Sequence, residues 1–372
     1  LQRPIRGTRT WCRPMNPKAT SFWGDEETIE MNLRNALLGT TAVIGAVALA
    51  VPSTASAFEV NIRGFHNFSA VTGDLEESGN AGNDPKDYDF LTDSEIHVQA
   101  AQTDDETGIR YGMLVEFEAD GNSSLNTDES WIFVDGAFGG FRLGDEDGAL
   151  DNSKIGAYNI AAGTGGIDGQ GVVASAQFAP TNSGDSTKIR YDSPSIAGFT
   201  IHGSFTPAGG DIGNNVAQDD GTDYQEWVET ALVYTGSFGG FDLQAGGALG
   251  FNNGENGADD FIGWNLGAIA GFSGFQLAAS YWQDEDGPNG DKTGVTAGAA
   301  ATLGPVDLSL TYAGVIDADN DPDGEESQNL VLSASMGILP GLSLHGDVSS
   351  FDRDADGPDD GVTGVVRLRV AF

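Results

Sequence analysis

From residue 58 onward the chain alternates. Val306-Asp307-Leu308-Ser309-Leu310-Thr311-Tyr312 places an apolar side chain at every second position. Leu342-Ser343-Leu344-His345-Gly346-Asp347-Val348 does the same, and Phe241-Asp242-Leu243-Gln244 opens another such run. A period of two sends successive side chains to opposite faces of a strand. No segment after Val51 reads as a transmembrane helix, and none of any length keeps a 3.6-residue period. The pattern predicts an all-β chain. Its apolar face would meet a protein core in a soluble sandwich, or lipid in a membrane barrel with a polar lumen.

The connections decide between the two. Short glycine-bearing turns fall at Thr103–Gly108, Gly136–Gly140, Ser193–Gly198, Gly236–Gly240, Phe272–Gly274, Leu303–Pro305 and Leu339–Gly341. Long acidic loops fall near 71–89, 119–127, 145–185, 207–222, 252–259, 284–292, 316–327 and 352–360. Seven turns alternating with eight loops predict sixteen strands, an even number with short connections at one end and long ones at the other. Transmembrane β-barrels segregate their connections this way, and sandwiches have no reason to. The turns GAFGGF at 136–141 and GSFGGF at 236–241 repeat, with looser versions at 195–199 and 271–275. Glycine supplies the positive φ of a tight hairpin, and the aromatic after it begins the next strand at the membrane interface.

The N-terminal part is set aside from the fold. Arg34, the apolar stretch Ala36–Val51 and the small residues Thr54-Ala55-Ser56-Ala57 read as a signal peptide starting at Met31 and cleaved between Ala57 and Phe58. The apolar stretch is shorter than the roughly 20 residues a spanning helix needs. The expected division is thus 1–30 with no assigned role, 31–57 signal peptide, and 58–372 a single barrel.

Charge changes the picture next. The whole chain has 17 Lys+Arg against 56 Asp+Glu, a net of −39. Residues 1–57 hold six of the basic and four of the acidic side chains, so the remainder has 11 against 52, a net of −41, and lacks the one cysteine, Cys12. Such a chain has no cations to displace the counterions of nucleic acid. An exported chain without disulfides needs another source of stability, and a closed barrel pairs every backbone group.

Three stretches carry a resemblance to a known family: ESWIFVDGAFGGFRLG at 129–144, KIRYDSP at 188–194 with Gly198-Phe199, and VRLRVAF at 366–372. They resemble, in order, the hairpin leading into the constriction loop, the strand and turn after it, and the terminal strand of the general porins of Gram-negative outer membranes. The acidic loops look most like the alphaproteobacterial branch. The resemblance implies a sixteen-stranded antiparallel transmembrane β-barrel with an inward-folded third loop and a homotrimer in outer-membrane lipid. It also implies insertion by the barrel assembly machinery, Phe372 serving as assembly signal, and passive diffusion of ions and small hydrophilic solutes. The proline-bearing acidic motif often found in the third loop of enterobacterial members is absent here.

Phe372 also sets parity. If Phe372, Val370, Leu368 and Val366 face lipid, Arg369 and Arg367 face the lumen. The same test turns Arg63, Arg110, Arg142, Lys188 and Arg190 inward, as the cost of about 2–4 kcal/mol for a mid-depth charge in lipid requires. The strands from Phe199 to Phe351 are expected to add no inward Lys or Arg, which makes one wall basic. The long loop 145–185 carries Asp145, Glu146, Asp147, Asp151 and Asp168, with Asp185 at its end. Folded inward, it would set carboxylates opposite that wall and create a narrowing with a transverse field. The competing reading is that the arginines only balance luminal carboxylates. The summed charge predicts a weak cation preference.

The outer loops admit a second chemistry. Asp319, Asp321 and Asp323, and Asp352, Asp354 and Asp356, match the start of a calcium loop, but Leu330 and Thr363 stand where a bidentate Glu belongs. No cofactor is expected otherwise. Catalysis has little to stand on, with His66, His97, His202 and His345 the only histidines, three of them inward and His66 near the first loop, and no G-x-S-x-G. A sugar-specific channel needs an inward aromatic track, for which Trp282 is the main candidate. An acidic secreted β-protein is the remaining alternative.

Overall fold

Sixteen runs of alternating residues become sixteen strands. The computed structural model describes residues 58–75, 86–119, 127–174, 176–210, 213, 224–254, 259–287, 290–318, 326–353 and 359–372. The strands are β1 (Glu59–Gly73), β2 (Tyr88–Thr103), β3 (Arg110–Glu118), β4 (Thr127–Gly136), β5 (Gly139–Asp145), β6 (Thr187–Asp192), β7 (Phe199–Ala208) and β8 (Tyr224–Phe238). They continue as β9 (Phe241–Gly254), β10 (Phe261–Phe272), β11 (Phe275–Glu285), β12 (Lys292–Leu303), β13 (Val306–Asp317), β14 (Ser327–Leu339), β15 (Leu342–Arg353) and β16 (Asp359–Ala371). The proposed signal peptide and its Ala57/Phe58 junction, apart from Phe58 itself, lie outside the described residues, as do Asp319, Asp321, Asp323, Asp354 and Asp356. Asp352 is described, and its carboxylate accepts from Gln328 at 3.1 Å.

Each strand pairs antiparallel with its sequence neighbours, and β1 pairs with β16, so the barrel is closed. Closure leaves no sheet edge with unpaired N–H and C=O groups. The last residue completes the seam: Gly64 and Phe372 exchange two backbone hydrogen bonds of 3.1 Å. Along β16, Val366, Leu368 and Val370 are exposed on the outer wall, while Thr363, Val365 and Arg367 are buried on the inner one. The same alternation runs round the barrel, giving an outer belt of exposed Phe, Leu, Ile and Val that lipid would cover. At the turn end aromatic rings gather on this belt, with Phe241 and Phe272 stacked at 4.7 Å and Phe141 tilted on Tyr191 at 4.9 Å. The repeated GSFGGF turn needs its glycines, since Gly239 and Gly240 have φ of 58° and 92°.

The connection from β5 to β6 contains helix α1 (Ala149–Ser153) and two single 3₁₀ turns, Ala157–Ile160 and Gly166–Asp168. Its backbone bonds to inward side chains of one strand after another. Ala149 N–H donates to Ser204 on β7, Ile155 N–H to Asn265 on β10, Ala157 N–H to Thr296 on β12 and Ala162 N–H to Ser309 on β13. Thr164 N–H then reaches Asp347 on β15, and the Val172 carbonyl accepts from Thr363 on β16. The return arm binds Asp284 on β11 through Thr181. Apolar side chains fill the gaps: Leu150 packs on Ala231 and Ala248, Ile155 on Val233 and Ile269, and Val172 and Val173 on Val71 and Val365. The apolar core of this protein is the contact between the connection and the inner wall. That wall is cut from small residues, and a Cβ on Gly267 would lie 1.9 Å from the Ile155 carbonyl oxygen.

Candidate functional site

The two ends of the 145–187 segment are tied together by β6. The Lys188 ammonium donates to the Glu146 and Gly184 carbonyls, one on each arm. Arg190 pairs with Glu146 at 2.6 Å and with Asp192 at 3.3 Å, and donates to the Asp147 carbonyl at 3.1 Å. Both cations are buried. Beneath the segment, Glu229 on β8 accepts from Ser183 N–H and from the Ser204 hydroxyl, each at 2.9 Å. The far end is held by Arg367, which donates to Gln170, and by the His345 ring, 2.7 Å from the Gly163 carbonyl.

Further inward cations lie on β16, β1, β3 and β5. The pairing register places Arg369 opposite Asn67, Arg367 opposite Ser69, Arg63 opposite His97, Arg110 opposite Asp135 and Arg142 opposite Arg190. Asp135 serves two of them, at 2.6 Å from Arg142 and 3.5 Å from Arg110. Both guanidinium groups lie over the buried Phe133 ring, at 4.6 Å for Arg110 and 5.6 Å for Arg142, and Arg369 covers Phe65 at 4.0 Å.

Carboxylates collect on the loop side of the same wall. Glu95 and Glu116 hold His97 between them at 3.0 and 2.8 Å, and the three form one of the described groups that could hold a metal ion. Glu95, Glu118 and Asp128 bring their oxygens within 4.8 Å of one another, as do Glu129, Asp147 and Asp185. Both are all-oxygen donor sets of the kind calcium takes. In the loop itself, burial outweighs the pull of Arg190 and lifts the Glu146 carboxyl to about 7. Burial and the neighbouring Asp151 raise Asp147 well above the carboxylate range.

Several expectations are corrected by this geometry. The loop acids do not all stand across the lumen from the cations. Asp145 accepts from Thr187, Glu146 sits against Arg190, and Asp151 pairs with Lys154 inside the loop, while Asp168 is exposed in the second 3₁₀ turn. The first loop residues cannot leave the end of β5, so they stay beside β6. Lys188 and Arg190 consequently serve the loop stem instead of lining open lumen. Lys154 was not anticipated, although it is the only Lys or Arg between 145 and 185. Its ammonium lies 5.9 Å from the Tyr158 ring and 5.6 Å from Phe178. The far wall also has cations of inward register, Lys292 opposite Asp284 and Arg353 at the end of β15. His66 is mid-strand on the outer wall, 2.5 Å from Ser94. Trp282 is joined inward by Trp227 and Phe261, but all three are buried and make no exposed track.

The chain matches the family model for Gram-negative porins over residues 40–356. Solved structures match its fold. An anion-selective porin from Comamonas acidovorans is 19% identical with a TM-score of 0.61, over 85% of this chain and 100% of that one. A variant of the Rh. blastica porin is 15% identical with a TM-score of 0.60, over 84% of this chain and 100% of that one. A loop-deletion form of OmpT, an outer-membrane protein of Vibrio cholerae, is 15% identical with a TM-score of 0.60, over 85% and 100%. No curated protein matches.

Proposed function

The chain belongs to the Gram-negative porin family, and on that premise we propose that the 145–187 segment and the wall of β16 and β1–β5 together form the narrowing of its pore. It is an outer-membrane channel for passive diffusion, not an enzyme. The observation that carries the finer reading is the course of the segment, bonded from β7 through to β16 and leaving Arg63, Arg110, Arg142 and Arg369 on the wall it does not cover. Charged side chains at such a narrowing decide which ions and polar solutes pass. Asp93, Glu95, Glu116, Glu118 and the loop acids outnumber the cations, which favours a weak cation preference. The Comamonas porin, by its description, selects anions.

The remaining parts of the reading follow. The mature chain begins at Phe58 after a cleaved signal peptide, reaches the outer membrane with Phe372 as its assembly signal, and works as a homotrimer. The outward His66–Ser94 pair supports the trimer, because polar groups on an apolar outer wall are better covered by protein than by lipid. The deciding measurement is reconstitution of the purified mature protein in a planar bilayer under a salt gradient. Stepwise conductance with a reversal potential of cation-preferring sign is expected; an anion-preferring sign at low salt refutes the electrostatic reading.

A further inference from the structure

Carboxylates buried around the 145–187 segment mostly hold a donor. Asp192 takes Arg190 and His202, Glu229 takes Ser183 N–H and the Ser204 hydroxyl, and Asp284 takes Thr181. Glu129, Asp147 and Asp185 do not follow this rule. Their carboxylate oxygens converge within 4.8 Å of one another. Among the described residues, no hydrogen-bond donor or ion-pair partner reaches any of the three side chains. The nearby cations are engaged elsewhere: Lys188 with the Glu146 and Gly184 carbonyls, Arg190 with Glu146 and Asp192, and Lys154 with Asp151. Strand register explains the convergence. Ser130 pairs with Asp145, and Asp145 with Thr187. Carried past the strand ends, the first register sets Glu129 opposite Glu146, and the second sets Asp147 opposite Asp185. Here β4 meets both feet of the 145–187 segment.

A second observation points to a ligand. Glu146 is 5% exposed, and while its Oε1 binds Arg190, its Oε2 is buried without a partner. The charge of Glu146 acts on both Glu129 and Asp147, so the orphaned oxygen belongs to the same cluster. A buried acceptor without a donor is costly, and a carboxylate more so than a neutral group. We propose that Glu129, Asp147, Asp185 and Oε2 of Glu146 bind one calcium ion, which staples both feet of the segment to β4. The donors are all oxygen, as a hard cation requires. Calcium ligands lie about 2.3–2.6 Å from the ion, so two of them can stand about 4.6–5.2 Å apart, whereas the shorter bonds of magnesium allow only about 4.0–4.2 Å. The spread of this cluster therefore suits calcium better. Binding would also offset like charges that oppose one another across the two registers. The site shares no residue with the aspartate runs at 319–323 and 352–356.

The test is backbone hydrogen exchange of the full mature protein, with calcium alone as the probe and a chelator as its reference. A dissociation constant of about 1 mM or below is expected, within the range of extracellular calcium modules. At ten times that constant, exchange across 145–187 should slow about tenfold, and magnesium at the same concentration should do less. Glu129→Gln with Asp185→Asn should abolish the calcium response. The same variant in chelator should exchange no faster than wild type, because it loses repulsion and no hydrogen bond. That result separates loss of a site from loss of the fold. Glu118→Gln with Asp128→Asn, in the neighbouring acidic set, should keep the full response. Exchange at 145–187 that ignores calcium overturns the proposal. So does a calcium response that survives Glu129→Gln with Asp185→Asn, or one that is lost in Glu118→Gln with Asp128→Asn. One further arm rests on the pore reading: in planar bilayers, calcium on the loop side should lower the cation preference of wild type and leave that of Glu129→Gln with Asp185→Asn unchanged. A protein that shows the calcium-dependent exchange but never conducts overturns the pore reading and leaves the site standing.

Discussion

Arg142 donates to Asp135 at 2.6 Å, and the same carboxylate is the nearest ion-pair partner of Arg110. One acid thus offsets two guanidinium groups that share the Phe133 ring. Asp135→Asn leaves both cations in place and removes their common counter-charge. Cation preference should fall measurably in the reversal potential at low salt. The barrel should lose about 1 kcal/mol or less, since all three side chains are partly open to water.

Lys188 should behave differently from the arginines near the turns. Its ammonium joins the Glu146 and Gly184 carbonyls across the mouth of the longest loop. Lys188→Ala leaves those acceptors in a buried site without their donor, at a cost of about 1–3 kcal/mol. The expected result is faster backbone hydrogen exchange at 146–186 with the strands still protected. Uniform protection across the loop would show that the latch is not needed.

The strands and their parity were legible because two properties of barrels are local: the period of two, and a terminal aromatic from which it can be counted. Arg367 and Arg369 needed only Phe372 to be turned inward. The loop was not legible in the same way. Ile155 meets Asn265 and Thr164 meets Asp347, contacts far apart in sequence that no spacing reveals. Without them, Lys188 and Arg190 look like Arg142. One signal was available: the inward positions Gly246, Gly267 and Gly298 have side chains too small to line a pore and suited to a wall against which backbone packs.

Glu146 gives the loop stem a pH dependence. Its carboxyl rises from the ordinary 4.5 to about 7, because burial favours the neutral form more than Arg190 favours the charged one. Between those values the folded protein binds more protons than the unfolded chain, so stability is greatest at low pH and falls as pH rises through this window. Heat-modifiable gel migration should show a lower transition temperature at pH 8 than at pH 5, with the difference reduced in Glu146→Gln. A transition that moves the other way in the variant would assign the dependence to another group.

Gly267 tests the seat of the loop without touching a charge. Its missing side chain is what lets the Ile155 carbonyl approach β10, and a Cβ there would stand 1.9 Å from that oxygen and 3.0 Å from the Ile155 Cβ. Neither backbone can yield cheaply, because Ile155 is also bonded to Asn265 and packed on Val233 and Ile269. Gly267→Val should therefore push the segment off the inner wall while the barrel, whose hydrogen bonds lie in the sheet, stays closed. The loss of packing should be about 2–4 kcal/mol, on the scale of a disrupted core residue. Displacement toward the uncovered wall narrows the passage, so liposome swelling should slow for the larger sugars first, with circular dichroism unchanged. Swelling rates equal to the wild type for every solute size would mean that the segment does not bound the passage.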